Sequence, residues 1–572
     1  MSTASLLPYR DDQEARPPHA SLTNRDSSGS QITFTDSPYT GISRGSLVAD
    51  KFSLPPDPAA WGSNVDINNH EADDDLHNPN SSRGARRDSS GTILTFRGLM
   101  NLGCLAILLT AMLTLFMGYP LISHFNSKQP YNHASIKTSF TDAWQLIDPD
   151  TPEDVKTRSG YEDDSSEFTL VFSDEFNTDG RSFYAGDDPY WEAVDLYNWA
   201  TADLEYSVNT SGGYLHITLS KKENHNLDYT SAMLTSWNKF CFTGGIFEVS
   251  LRLPGKNDVS GLWPAVWTMG NLGRVGYGAT LDGVWPYTYD SCDVGTLQNQ
   301  TLNGMPEAAL TSGSSKYNYT LSYLPGQRLS RCTCKGQSHP GPKHKDGTYV
   351  GRSAPEIDVF EAQIDAHHGT VSQSAQWGPF DEGYHWHNTS DGFKIVNSSR
   401  SVVNSYSGGV YQEATSVVSY TDQQCYELEG GCFSTYGFEY KPGFDDAYIS
   451  WINADELMWT LYPAGVGADS NVNISARPIS QEPMYILMNL AISPGFATIE
   501  YDELVFPTTM SIDWVRVYQR SDMTNYGCDP EDFPTAAYIS KYDEAYSNYN
   551  LTTWALMSSF SDTKFLGRLL DG

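Results

Sequence analysis

The chain has 572 residues, with 70 acidic side chains against 36 Lys and Arg and a formal net charge of -34. Such a surface excludes a nucleic-acid partner and a polybasic membrane patch, both of which need clustered cations. Aromatics make up 13% of the chain, with 14 Trp and 35 Tyr, which favours strands and leaves a few rings to line a sugar-binding cleft.

Residues 1–97 are rich in Ser, Asp, Asn, Pro and Gly and poor in apolar clusters, so they read as a disordered cytosolic tail. No apolar run near Met1 offers a signal peptide. From Gly98 to Ser123 no charged residue occurs, a stretch longer than the ~20 residues that span a bilayer. The alternative is a buried core helix, but the polar segment before it supplies nothing to pack against. Arg83, Arg86, Arg87 and Arg97 precede this stretch, and Lys128 alone follows closely. The positive-inside rule then makes residues 98–123 a signal anchor, with the tail in the cytosol and the rest luminal or extracellular. The expected location is a secretory-pathway membrane (endoplasmic reticulum, Golgi or plasma membrane), as a single-pass type II protein.

Sequons at Asn209, Asn299, Asn318, Asn388, Asn397, Asn473 and Asn550 all follow the span, as N-glycosylation in the lumen requires. So do Cys241, Cys292, Cys332, Cys334, Cys425, Cys432 and Cys528, in a compartment that permits disulfides. Cys425 and Cys432 can close a short loop, and Cys292 can meet Cys332 or Cys334. An odd number leaves one thiol unpaired or intermolecular. Cys332-x-Cys334 lacks the further ligand pair of a zinc site.

A stalk over 124–166 leads into a region that reads as strand after strand. Phe168–Phe172 is apolar, and Tyr214–Leu219 alternates. Phe247, Val249 and Leu251 share one face of a strand, and 448–452 and 511–518 continue the pattern. Turn residues separate these runs and long amphipathic helices are scarce. The pattern predicts an all-β fold over 167–527, an antiparallel β-sandwich. A Gly/Pro/Ser-rich insertion at 270–351 carries three of the cysteines, and loops of that length are functional or covalently tied. Residues 528–572 form a C-terminal extension.

Inside this region, Pro355-Glu-Ile-Asp-Val-Phe-Glu361 sets three carboxylates among β-formers. Alternate residues of a strand share a face, so Glu356 and Asp358 point together and Glu361 is one step out. A β-bulge at Val359–Phe360 returns it to their face, and bulges occur where a side chain is re-aimed beside an active site. Acids aligned in this way repel one another and raise at least one pKa. Glycoside hydrolysis needs such a split, one carboxylate ionised and one protonated. The bland alternative is a solvated strand face. Against it, Ile357, Val359 and Phe360 must be buried, and the neighbouring sequence offers Trp and Gly rather than Lys and Arg.

Glu356-Ile-Asp-Val-Phe-Glu361 resembles the bulged active-site strand of glycoside hydrolase family sixteen, the laminarinase-like, concanavalin-like jelly rolls. Phe172–Phe176, Gly261–Trp267, Tyr436–Gly443 and Ile512–Tyr518 resemble other landmarks of that family, in order. Gly283–Gly295, Leu324–Leu329 and Gly527–Pro530 resemble a narrower group, the fungal membrane proteins associated with β-1,6-glucan synthesis. The resemblance implies a jelly-roll sandwich and a β-glucan partner, with Glu356 as nucleophile, Glu361 as general acid/base and Asp358 tuning Glu356. In retaining enzymes of this kind the two working carboxyls lie about 5–5.5 Å apart. Four strand steps span roughly 13 Å of backbone, so the side chains must converge.

Trp263, Trp267 and Trp377 are the aromatics nearest the family's cleft. Trp263 and Trp267 share strand parity, so both face the cleft or both face the core. Ser372–Gln376 offers amides and hydroxyls one strand further on. Asp365, His367 and His368 read as a polar turn rather than a metal set. No cofactor is expected, although the resemblance leaves room for a structural calcium near Glu175 and Asp513. Three readings follow: a retaining β-glucan hydrolase or transglycosylase of the cell wall, a non-catalytic glucan-binding scaffold on the same fold, or a membrane adaptor working through its tail.

Overall fold

The structure, a computed structural model, describes residues 145–194, 196, 207–224 and 227–555, with Leu105, Leu108, Leu109, Thr110 and Met112 in helical conformation. The tail expected at 1–97 and the rest of the expected anchor lie outside the described residues. Among the described residues no helix is long and apolar enough to cross a membrane.

Two ten-stranded antiparallel sheets face each other. The first runs from Thr157–Ser159 through Glu167–Asp174, Thr508–Arg520, Gly245–Arg252, Ser434–Lys441, Tyr448–Asn453 and Glu456–Leu461 to Phe393–Ile395. The second orders Ser401–Val403, Gln412–Tyr420, His368–Trp377, Glu356–Asp365, Leu262–Gly270 and Met484–Ile492 side by side. Alternation decides which side chains meet between them. Phe247, Val249 and Leu251 of the first sheet share one buried cluster with Ile357, Val359 and Val371 of the second. The expected sandwich is therefore present, and the apolar area it removes from water is its main stabilising term.

The segment expected to be a stalk is, from residue 145 onward, part of this body. Thr157–Ser159 pairs with Glu167–Thr169 as an edge strand. Two buried carboxylates on the outer face of the first sheet hold the segment down. Arg158 and Tyr161 reach Glu248, and the Tyr161 and Glu162 amides donate to Glu439. Covering Glu248 and Glu439 is tolerable because each is supplied with donors.

The insertion and the C-terminal extension build a second lobe together. Leu272, Leu281, Trp285 and Leu329 pack with Tyr538, Ile539, Tyr546 and Leu551 in one buried cluster. Arg328 lies 3.6 Å from the Trp554 ring. Arg352 is fully buried and grips Glu482 through two bonds of 2.8 and 2.7 Å. Bridges Cys241–Cys528 and Cys292–Cys332 tie the lobe covalently, Cys425–Cys432 closes a short loop, and Cys334 is left as an exposed free thiol. Residues 528–555 of the extension are thus packed on the sandwich.

Candidate active site

On the strand Glu356–Asp365 the register against both neighbours slips between Asp358 and Glu361. Val359 and Phe360 both enter the core, together with Ile357 and Ala362. That double inward step is the expected bulge, and it turns Glu356, Asp358 and Glu361 onto the outer face of the second sheet. The freed backbone is satisfied from inside the sandwich. The Trp451 indole donates to the Asp358 carbonyl at 2.8 Å, and the Gln373 amide donates to the Val359 carbonyl at 3.0 Å. A bulge leaves such groups unpaired, so these two core side chains fix its position.

Each acid has its own donors. Trp285 Nε1 donates to Glu356 Oε2 at 2.6 Å, from a residue 71 positions earlier in the insertion. Ser374 Oγ and Gln376 Nε2 donate to Asp358 Oδ2 at 3.0 and 2.9 Å, from the next strand. Trp263 Nε1 donates to Glu361 Oε1 at 2.9 Å, from the strand before. The Trp263 ring is itself stacked on Phe496 at 4.5 Å.

All three carboxyls are buried. Burial, then the negative charge of Asp358, pushes Glu361 up to about 8. Burial lifts Asp358 to about 6, against the donors Gln376 and Ser374. Glu356 is raised well above its ordinary value by burial and by Asp358, with the Trp285 indole opposing. Glu356 and Asp358 act on each other, so they titrate as a pair rather than singly. Near neutral pH the arrangement holds Glu361 protonated.

A cleft of about 490 Å³ crosses this face. Its walls include Glu361, Ser372, Ser374, Tyr406, Ser416 and Phe496; Glu356 and Asp358 sit outside its lining. Hydroxyls and amides alternate with apolar side chains such as Val402, Val418 and Phe496, a mixed lining able to bind sugar rings and their hydroxyls.

The three expected tryptophans separate. Trp263 touches Glu361, as above. Trp267 has the same parity and bonds Asn489 at 2.8 Å, beside Trp285 in the lobe's buried cluster. Trp377 does not face the cleft. Alternation along His368–Trp377 sends it into the core between the sheets, where its indole bonds Thr415 at 3.0 Å. The same alternation divides Ser372–Gln376: Ser372, Ser374 and Gln376 face the acids or the cleft, and Gln373 faces the core.

Asp365 and His368 pair across a hairpin whose Ala366 and His367 both have positive φ, a tight turn and not a ligand set. The residues near the expected calcium do not fit a cation. Both Glu175 oxygens are taken by Arg516 at 3.0 and 2.8 Å, and the guanidinium would oppose the ion. The one metal-like grouping among the described residues, Asp422 with Cys425 and Cys432, contains a disulfide. Of the sequons, Asn318, Asn388, Asn473 and Asn550 are exposed, and Asn209, Asn299 and Asn397 are half-buried.

Sequence reasoning did not single out Trp285, Trp451 or Gln373. Trp285 lay inside a quoted motif, but only the folded insertion brings it onto Glu356. Trp451 lay in a run read only as a strand, and Gln373 falls among the expected cleft amides of Ser372–Gln376, whereas its amide turns into the core.

A family model described as "Beta-glucan synthesis-associated protein SKN1/KRE6/Sbg1" matches residues 63–565. The beta-glucan synthesis-associated protein KRE6 of Saccharomyces cerevisiae is 41% identical over 511 residues, covering 85% of this chain and 67% of that protein. SKN1 of Candida albicans is 39% identical over 511 residues, covering 85% of this chain and 65% of its own length. The chain therefore spans about two thirds of these relatives. Among solved structures, a non-specific endo-beta-1,3(4)-glucanase from family GH16 aligns at 16% identity and a TM-score of 0.35, over 63% of this chain and 97% of its own.

Proposed function

We propose, starting from the fact that this chain belongs to the SKN1/KRE6/Sbg1 family of β-glucan synthesis-associated proteins, that it remodels cell-wall β-glucan as a retaining hydrolase or transglycosylase. One observation carries the reading: a bulge pinned from within the core aligns three buried acids on one face, each with a separate donor. A solvated strand face would need neither burial nor dedicated donors.

Glu356, as carboxylate, attacks the anomeric carbon while Glu361 gives its proton to the departing glycosidic oxygen. The C–O bond to the leaving sugar breaks as the ester bond to Glu356 forms. Water or a sugar hydroxyl then attacks that carbon, returns a proton to Glu361 and frees Glu356. Asp358 tunes Glu356, and Trp285 steadies the charge of the Glu356 carboxylate. Which acceptor arrives decides between hydrolysis and transfer. The fold sits in the lumen or outside, anchored by 98–123 as a type II protein and glycosylated at its sequons. Protease added to sealed microsomes would then digest only the tail, and loss of the large domain would refute that topology.

A second reading, a glucan-binding scaffold without turnover, draws on one observation: the cleft lining includes Glu361 but neither Glu356 nor Asp358. Incubating the purified protein with β-1,3- and β-1,6-linked oligosaccharides, with mass analysis of products, separates the two. Shortened or lengthened chains support the enzyme. Binding without any new product supports the scaffold.

A further inference from the structure

Beyond the cleft, a row of tyrosines extends its wall over the insertion. Tyr406 lines the cleft, and its hydroxyl accepts from Gln412 Nε2 at 3.3 Å. Next to Gln412, at the start of the strand Gln412–Tyr420, the Tyr411 ring lies 6.5 Å from that of Tyr323. The Tyr323 ring lies 6.3 Å from that of Tyr317, edge to face. The row is fixed to the body. The Tyr323 amide bonds the Val410 carbonyl at 2.9 Å, and Tyr317 and Tyr411 pack on a buried cluster around Tyr287, Leu321 and Phe380. Tyr323 is 43% exposed, and Tyr319, which lies between Tyr317 and Tyr323 in the chain, is 54% exposed.

Exposed rings that adjoin one another mark a surface that another molecule covers, where rings scattered singly do not. A phenol offers a flat apolar face and a hydrogen-bonding tip, the combination a sugar ring also presents. The row begins at a cleft-lining residue, and its spacing is held by main-chain bonds rather than by flexible side chains. A ligand that leaves the cleft past Tyr406 meets Tyr411, then Tyr323 and the rings beyond.

We propose that this row is a second glycan-binding stretch, which holds the part of a β-glucan chain that runs beyond the cleft. The proposal rests on the reading of the cleft as a β-glucan site. It makes the insertion a device for selecting long chains over short ones, and supplies an anchor for a polymer that is being extended or joined.

The test compares polymeric β-1,3- and β-1,6-glucan with trimers of the same linkages, by titration calorimetry on the deglycosylated full chain. Deglycosylation matters because the sequon Asn318 adjoins Tyr319. Tyr319→Ala with Tyr323→Ala should weaken polymer binding about tenfold, the scale of losing two aromatic contacts, and leave trimer binding as in the parent. Tyr319→Phe with Tyr323→Phe, which keeps the rings, should hold polymer affinity within about twofold. Equal polymer affinity in the Ala variant, at an unchanged melting temperature, would overturn the proposal and leave the cleft reading intact. A parent protein that binds neither polymer nor trimer would overturn the cleft reading as well.

Discussion

Trp285→Phe isolates one hydrogen bond. The ring stays in the apolar cluster of the second lobe, while the N–H that reaches Glu356 Oε2 at 2.6 Å is lost. That donor opposes the burial and the Asp358 charge that keep Glu356 protonated, so its loss makes the carboxylate harder to form. Hydrogen bonds to charged groups contribute about 1.5–3 kcal/mol, which is roughly 10- to 100-fold in rate when the charge is needed for attack. The acid limb of the kcat/KM profile on a β-1,3-glucan oligosaccharide should move to higher pH, and activity on that limb should fall by about that factor. The alkaline limb, set by Glu361, should stay in place. An acid limb that does not move, with activity near the parent's, would mean that Glu356 is not the group that must ionise.

Glu361 also couples stability to pH. Its carboxyl goes from about 4.5 when unfolded to about 8 when folded, so between those values the folded state holds a proton that the unfolded state has released. Its contribution is therefore most favourable below about 4.5, declines as pH rises through that window and is lost above about 8. Glu361→Gln should flatten this decline and melt higher than the parent at pH 8, as read by thermal unfolding. Trp451→Phe should destabilise the fold by about 1–3 kcal/mol, the cost of orphaning the Asp358 carbonyl, and should lower activity by loosening the bulge. Replacing Cys241 and Cys528 by Ser opens a link between residues 287 positions apart and should cost about 2–5 kcal/mol in denaturant unfolding.

Much of the sandwich was legible because one face of each strand must be buried. Phe247, Val249 and Leu251 declare that face, and Ile357, Val359 and Phe360 declare it with a break that only a bulge repairs. The break is why the acids could be placed together before any coordinates. What was not legible depends on contacts between distant segments. Trp377 was expected near the cleft from the family resemblance, but strand parity turns it inward. Trp285 reaches Glu356 only because the insertion folds back with the extension through Tyr538, Tyr546 and Leu551. Residues 145–166 of the expected stalk pack on the body because their polar groups find partners in Glu248 and Glu439, outward-facing acids of strands far along the chain.

The central claim is that Glu356 forms a covalent bond to the sugar. The direct measurement is peptide mass spectrometry of the protein after reaction with an activated 2-deoxy-2-fluoro β-glucoside, or a β-1,3-linked dimer of it. These substrates slow release of the glycosyl-enzyme more than its formation. The account predicts a stoichiometric adduct on the peptide that contains Glu356, absent in Glu356→Ala and discharged by an added sugar acceptor. An adduct on Glu361, or none from a protein that turns over the parent glucoside, would contradict it.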